Sequence, residues 1–135
     1  MNAETIGAIT EAELQATILD LAQTFGWRSH HQYDSRIAPK GRGGRTMTDK
    51  GFPDLVLVKD GTLLFVEVKK EAGKVSRDQE KWLELLRESG ARVEVWRPTQ
   101  LDDGTIERTL REGWSNRRCW CGVDYDAHAG LVGHD

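Results

Sequence analysis

Two strongly β segments, Asp54-Leu-Val-Leu-Val-Lys59 and Thr62-Leu-Leu-Phe-Val-Glu-Val-Lys69, are separated only by Asp60-Gly61. Asp-Gly between two such runs signals a two-residue hairpin, because both turn residues must take positive φ, which Gly adopts freely and Asp tolerates. So short a turn fixes the antiparallel register. Val58 then faces Leu63, Val56 faces Phe65, and Asp54 faces Glu67. Directly paired residues share a face with Cβ atoms about 4.5–5.5 Å apart, and Lys69, two positions on, shares it too. The other face reads Leu55, Leu57, Leu64, Val66 and Val68. The charged face is itself apolar at Val56, Val58, Leu63 and Phe65. A hairpin apolar on both sides belongs in the middle of a sheet covered on both sides.

The flanking sequence supplies the covering elements. Thr10-Glu-Ala-Glu13 has the form of a capping box, followed by the helical stripe Leu14, Ile18, Leu21 and Phe25, with Gly26 as its stop. Residues 27–33 alternate loosely as a short strand, and 34–51 show no periodicity, a length of loop uncommon unless functional or disordered. Pro53 suits the first position of a strand, where its missing donor does least harm. Ser76-Arg-Asp-Gln79 opens a second helix with Trp82, Leu83, Leu85 and Leu86 inward and Gly90 at its end. Val93 and Val95 mark another strand, ended by Pro98, and Asp102 or Asp103 caps a last helix carrying Ile106 and Leu110. The reading is an α/β domain in the order αβββαβ, a mixed central sheet flanked by helices. Its core spans 1–98, and 99–135 form a C-terminal helix and peripheral tail.

The charge total is misleading until it is divided. Nineteen bases against 22 acids in 135 residues give −3, not the basic excess usual for a nucleic-acid partner. Residues 1–25 carry −4, residues 26–50 carry +4, residues 51–98 balance, and the remainder carries −3. The basic block includes Arg36 and the glycine-rich run Lys40-Gly-Arg42-Gly-Gly-Arg45. Alone it reads as a solvated loop; beside a phosphodiester site it reads as a backbone-tracking element. No apolar run approaches a membrane span. The first 25 residues lack Lys and Arg, so no secretory n-region is expected and the chain reads as cytoplasmic.

Asp54 opposite Glu67 is a costly placement. Like charges facing each other on a sheet destabilise it, and partial burial raises that cost. A divalent cation held by both carboxylates resolves the conflict, and oxygen donors favour Mg²⁺ or Mn²⁺ over zinc. Lys69 beside it is suited to hold or polarise a water attacking a phosphodiester. The plainer alternative is an ion pair of Lys69 with Glu67 or Asp54.

At these residues the chain resembles the PD-(D/E)xK nuclease superfamily. Gly51-Phe-Pro-Asp54, Glu67-Val-Lys69 and Ser76-x-x-Gln79 before Trp82-Leu83 resemble its virus-type replication-repair nuclease (VRR-NUC) branch, over about Glu11 to Pro98. The resemblance implies a restriction-endonuclease-like fold and a Mg²⁺- or Mn²⁺-dependent endodeoxyribonuclease. Its substrate would be branched DNA, in the manner of a Holliday-junction resolvase, with the protein a homodimer in DNA repair or recombination. A phage or bacterial chain, in host cytoplasm if phage-encoded, is implied. Asp54 and Glu67 would bind the metal with the Val68 carbonyl, Lys69 would act on water or phosphate, and Gln79 would support the site. Glu13 matches the acid that many members direct at the metal, although a capping role explains it equally. Arg36, Lys40, Arg42 and Arg45 then become DNA-backbone contacts. Alternatives are a flap or restriction-type nuclease, a non-catalytic branched-DNA-binding module, and an interaction protein using its acidic helix.

Two further signals stand apart. His30 and His31 fall in the first strand, one on each face, and read as ordinary surface or core residues. Cys119 and Cys121, with His128 and His134, invite a zinc reading, but C-x-C is off the usual ligand spacing and a frayed tail is preferred.

Overall fold

The hairpin forms in the expected register. Asp60 and Gly61 take φ of 46° and 80°, the doubly left-handed turn whose twist matches the flanking strands. Val56 faces Phe65 and Val58 faces Leu63. The computed structural model describes residues 1–31 and 50–113. Among them the elements run α1 (Ala3–Ala8), α2 (Glu11–Thr24), β1 (Arg28–His31), β2 (Leu55–Lys59), β3 (Thr62–Val68), α3 (Arg77–Glu88), β4 (Arg92–Trp96), α4 (Pro98–Asp102) and α5 (Thr105–Glu112).

The four strands form one sheet in the order β1-β2-β3-β4. β1 and β3 flank β2 antiparallel, and β4 joins β3 in parallel after the α3 crossover. A parallel neighbour requires such a crossover, since no tight turn can join parallel strands. The hairpin is therefore central, and the sheet is mixed with helices against it.

One face of that sheet is sealed. Leu55, Leu57, Leu64, Val66 and Val68 are buried there with Leu14, Ile18 and Ala22 of α2 and Ile106 and Leu110 of α5. The α2 stripe is rotated slightly from the expected one: Ala22 is buried, while Leu21 and Phe25 are only partly so. Trp27 joins this core, and its indole N–H donates to the Leu110 carbonyl at 2.7 Å. Ile106 and Leu110 are wholly buried, so the packed unit runs past residue 98 to α5. Pro98 does end β4, but it also starts α4 as its first helical residue, where a missing N–H costs nothing.

The other face is covered less completely than its apolar sequence suggests. α3 lays Leu83 against it, yet Leu85 is 47% exposed and Val58 45%. Among the described residues no helix is long and apolar enough to cross a membrane. Arg36, Lys40, Arg42, Arg45, Cys119, Cys121, His128 and His134 lie outside the described residues.

Candidate active site

Asp54 and Glu67 meet at one end of the hairpin, on its less covered face. β2 begins at Leu55, so Asp54 stands one residue before the ladder. Its Oδ2 accepts from the Val68 N–H at 2.8 Å, taking the place of a main-chain acceptor. The N–H and C=O of one strand residue point to the same side, so the Val68 carbonyl also faces Pro53-Asp54. Continued register would set Pro53 opposite Val68, and proline has no N–H to offer that oxygen. The sequence thus leaves a main-chain oxygen donor beside the two carboxylates.

Glu67 is 1% exposed. Its Oε1 accepts from Gln79 Nε2 at 2.7 Å, whereas Oε2 is buried with no hydrogen-bond partner. The Lys69 ammonium lies 3.8 Å from Oε1, too far for a direct hydrogen bond. Lys69 is therefore beside the acid without being consumed by it. Burial, and then the charge of Asp54, push the Glu67 carboxyl up to about 8 against the pull of Lys69. Burial also raises Asp54, opposed by its bond from Val68. An orphaned buried carboxylate oxygen facing a second carboxylate is what a hard cation with oxygen ligands would complete. The residues present fit such an ion.

Gln79 does two jobs at once. Its Oε1 accepts from the Ser76 N–H at 2.8 Å, and its own N–H donates to Ser76 Oγ at 3.2 Å, closing the capping box of α3. The amide nitrogen remains for Glu67. One side chain thus caps the helix and reaches Glu67. Gly51 makes the arrangement possible. Its φ is +89°, and a Cβ there would stand 2.5 Å from the Asp78 carbonyl carbon and 2.6 Å from the Gln79 nitrogen. Only glycine lets the chain entering Asp54 lie so close to the first turn of α3. Phe52 then packs edge-on against Phe65 and Trp82, with centroids 5.9 and 5.0 Å away.

Glu13 is not where the resemblance would have it. It is exposed and held at the start of α2, with Thr10 Oγ1 accepting from its N–H and donating to its Oε1 at 2.9 Å. The α2 acid whose charge raises both Asp54 and Glu67 is Glu11. A signal for it existed: Glu11 precedes Leu14 by three and Ile18 by seven, in line with the buried stripe, whereas Glu13 is rotated off it. His30 is opposite Val56, on the face of Asp54, and His31 is opposite Leu55 on the sealed face. Lys70 is exposed. Among the described residues no group of three or more His, Cys, Asp or Glu side chains is placed to hold a metal. Two carboxylates and a main-chain carbonyl are the oxygen donors brought together here, a set whose chemistry would suit Mg²⁺ with water completing its shell.

Comparison with known proteins bears on the family and the fold. The family model of the VRR-NUC domain matches residues 11–100. A solved structure described as a VRR_NUC domain protein superposes with a TM-score of 0.51 at 18% identity, covering 78% of this chain and 91% of that one. At that identity the likeness is one of fold. No curated protein matches the chain.

Proposed function

The chain belongs to the VRR-NUC domain family, a nuclease family, and from that premise we propose that it is a Mg²⁺- or Mn²⁺-dependent endonuclease of branched DNA. The observation that carries the reading is the buried Glu67 carboxylate, its Oε2 without a partner, set against Asp54 with Lys69 alongside. Asp54, Glu67 and the Val68 carbonyl would hold the cation. When bound, such an ion lowers the pKa of a coordinated water and offsets charge on the phosphate.

The chain's own groups do the rest. Gln79 fixes Glu67 through Oε1, which leaves Oε2 turned to the site. The Val68 N–H fixes Asp54 through Oδ2, leaving Oδ1. Lys69 supplies a compact positive charge and up to three N–H donors for the attacking water or a phosphate oxygen as negative charge builds there. In the reaction a water oxygen bonds to phosphorus, the bond to the departing sugar oxygen breaks, and the water's protons pass to solvent and to that oxygen. No covalent enzyme intermediate is required. Arg36, Lys40, Arg42 and Arg45 are assigned to the DNA backbone, and symmetric junction cleavage calls for a homodimer.

The test is product mapping with purified protein and Mg²⁺ or Mn²⁺ on four-way junctions, flaps, single strands and linear duplex. Paired nicks across a junction are expected, lost in Asp54→Ala, Glu67→Ala and Lys69→Ala. Undiminished cleavage by Glu67→Ala, or by the unaltered chain in excess EDTA, overturns the proposal. Cleavage confined to flaps or to linear duplex would redirect it to a flap or restriction-type enzyme.

A further inference from the structure

Lys69 stands just past the end of β3, where the sheet no longer holds the chain. Its N–H still donates to the Trp96 carbonyl at 3.0 Å, but residues 70–73 turn away from the ladder. That turn is closed by the Gly73 N–H donating to the Lys70 carbonyl at 3.0 Å. One nitrogen of Arg97, Nη1, lies 3.0 Å from the Lys70 carbonyl, 3.3 Å from that of Glu71 and 2.6 Å from that of Gly73. The carboxylate of Glu71 answers from the turn, accepting from the Thr99 N–H at 3.0 Å and from its hydroxyl. Gln100 in turn accepts from the Arg97 backbone N–H at 2.6 Å, so the main chain that carries the guanidinium is held at the start of α4. Finally, a Cβ on Gly73 would come 3.6 Å from Cδ of Lys69 and 3.1 Å from Cγ of Lys70. The turn is thus the wall against which the Lys69 stem lies.

We infer that Arg97 is a positioning residue for Lys69: by gathering three carbonyls of the 70–73 turn it fixes the stem, and so the place of the ammonium beside Glu67. A free lysine side chain loses rotamer entropy when it is held at one spot, so an ammonium needed there gains from a wall that does not move. Lysine at position 97 does this work less well: its nitrogen sits one bond short of Nη1 on a fully flexible stem, without the planar group that presets where the N–H donors point. The inference rests on the proposed role of Lys69, and its test separates the two.

Amine-selective methylation at low conversion, read by peptide mass, measures how firmly Lys69 is held without any reference to cleavage. Lys69 is 8% exposed and should label slowly in the unaltered chain. In Arg97→Ala its rate should rise at least about fivefold, while Lys59 and Lys81 stay within about twofold. Unchanged Lys69 labelling in folded Arg97→Ala overturns the inference. If Arg97→Ala does not fold, Arg97→Lys serves, with a rise of at least about twofold expected and equality with the unaltered chain overturning the idea. The second arm is kinetic: Arg97→Ala should lower kcat at least tenfold with KM within about twofold. Leu101→Ala, which loosens α4 against the core without touching the turn, should leave kcat near its original value. An equal loss of kcat in both variants would mean that stability alone is involved and would overturn the inference. Loss of labelling protection in a chain that cleaves no DNA in any form would retain the Arg97 clamp and refute the nuclease reading instead.

Discussion

Both faces of the β2–β3 hairpin are apolar along most of their length, yet they do opposite things. On one, Leu55, Leu57, Leu64, Val66 and Val68 are sealed beneath α2 and α5. On the other, Val56, Val58, Leu63 and Phe65 lead up to Glu67 and Lys69, and Val58 is left 45% exposed. The sealed face has apolar surface removed from water and, among the described residues, no buried side-chain polar atom without a partner. The half-open face has a buried carboxylate oxygen with no partner beside a second acid. Favourable burial on one side offsets an unfavourable placement on the other, a division expected where local rules give way to function.

The largest way to sharpen that contrast is Glu67→Gln. The amide keeps an oxygen for Gln79 Nε2 and offers N–H₂ to Asp54, so the fold should survive while cation binding is lost. Cleavage should fall by on the order of 10³-fold or more, roughly 4 kcal/mol of transition-state stabilisation. Metal-free stability should move the other way. With the folded carboxyl at about 8 and the unfolded one near its ordinary 4.5, the folded state holds the extra proton between those values. Stability therefore falls as pH rises through that window and levels off above about 8. Thermal melts in EDTA at pH 5 and pH 8 should show this fall in the unaltered chain, and less of it in Glu67→Gln. Added Mn²⁺ should recover the loss at pH 8 only where Glu67 is retained.

The opposite experiment is made on the sealed face. Leu57 is wholly buried between β1 and β3, and Leu57→Ala removes three carbons from a closed core. The cost should be about 3 kcal/mol by urea unfolding. kcat per folded molecule should change little, because no site residue leans on that side chain. A loss of kcat as large as that of Glu67→Gln would mean the two faces are not separable.

How much of this was legible follows from what sets each feature. The hairpin register was readable because a two-residue Asp-Gly turn leaves one pairing, and that pairing brought Asp54, Glu67 and Lys69 together. Gln79 was readable as a cap from its spacing to Ser76 and as a site residue only from the family resemblance; the contact with Glu67 exists because its amide has two ends. Glu11 was not singled out, because a capping motif fixes where a helix begins but not how it is rotated; rotation is set by Leu14, Ile18 and Ala22 on the sheet. Leu85 reads as inward on helical spacing yet is 47% exposed, since α3 crosses a face it only partly covers. α4 escaped detection because proline both ends a strand and begins a helix. Arg97 gave no signal, for its partners are carbonyls, which every residue has.

Gly51 joins the two regions, and its replacement should have an intermediate effect. In Gly51→Ala the left-handed φ and the approach to Asp78 and Gln79 act together, at a cost of about 1–3 kcal/mol. The relief would come from moving the first turn of α3 away, which takes Gln79 from Glu67. Activity should fall in a chain that still unfolds cooperatively. Full activity in Gly51→Ala would show that the Gln79 bond to Glu67 is dispensable.

The smallest effect is the most discriminating about what covers the open face. Val58 adjoins Leu57 on β2, is one carbon smaller and points to the opposite face. Exposed as it is, Val58→Ala should cost less than about 1 kcal/mol, several times less than Leu57→Ala. A dilute sample, in which the chain stands alone, should give that small value. If the cost grows as protein concentration is raised, a second copy is shielding Val58, because only association makes stability depend on protomer concentration. The homodimer assigned to junction cleavage would then use the catalytic face itself. If the cost stays small at every concentration, any dimer is made elsewhere, and the half-open face remains available to the substrate of the proposed site at Asp54 and Glu67.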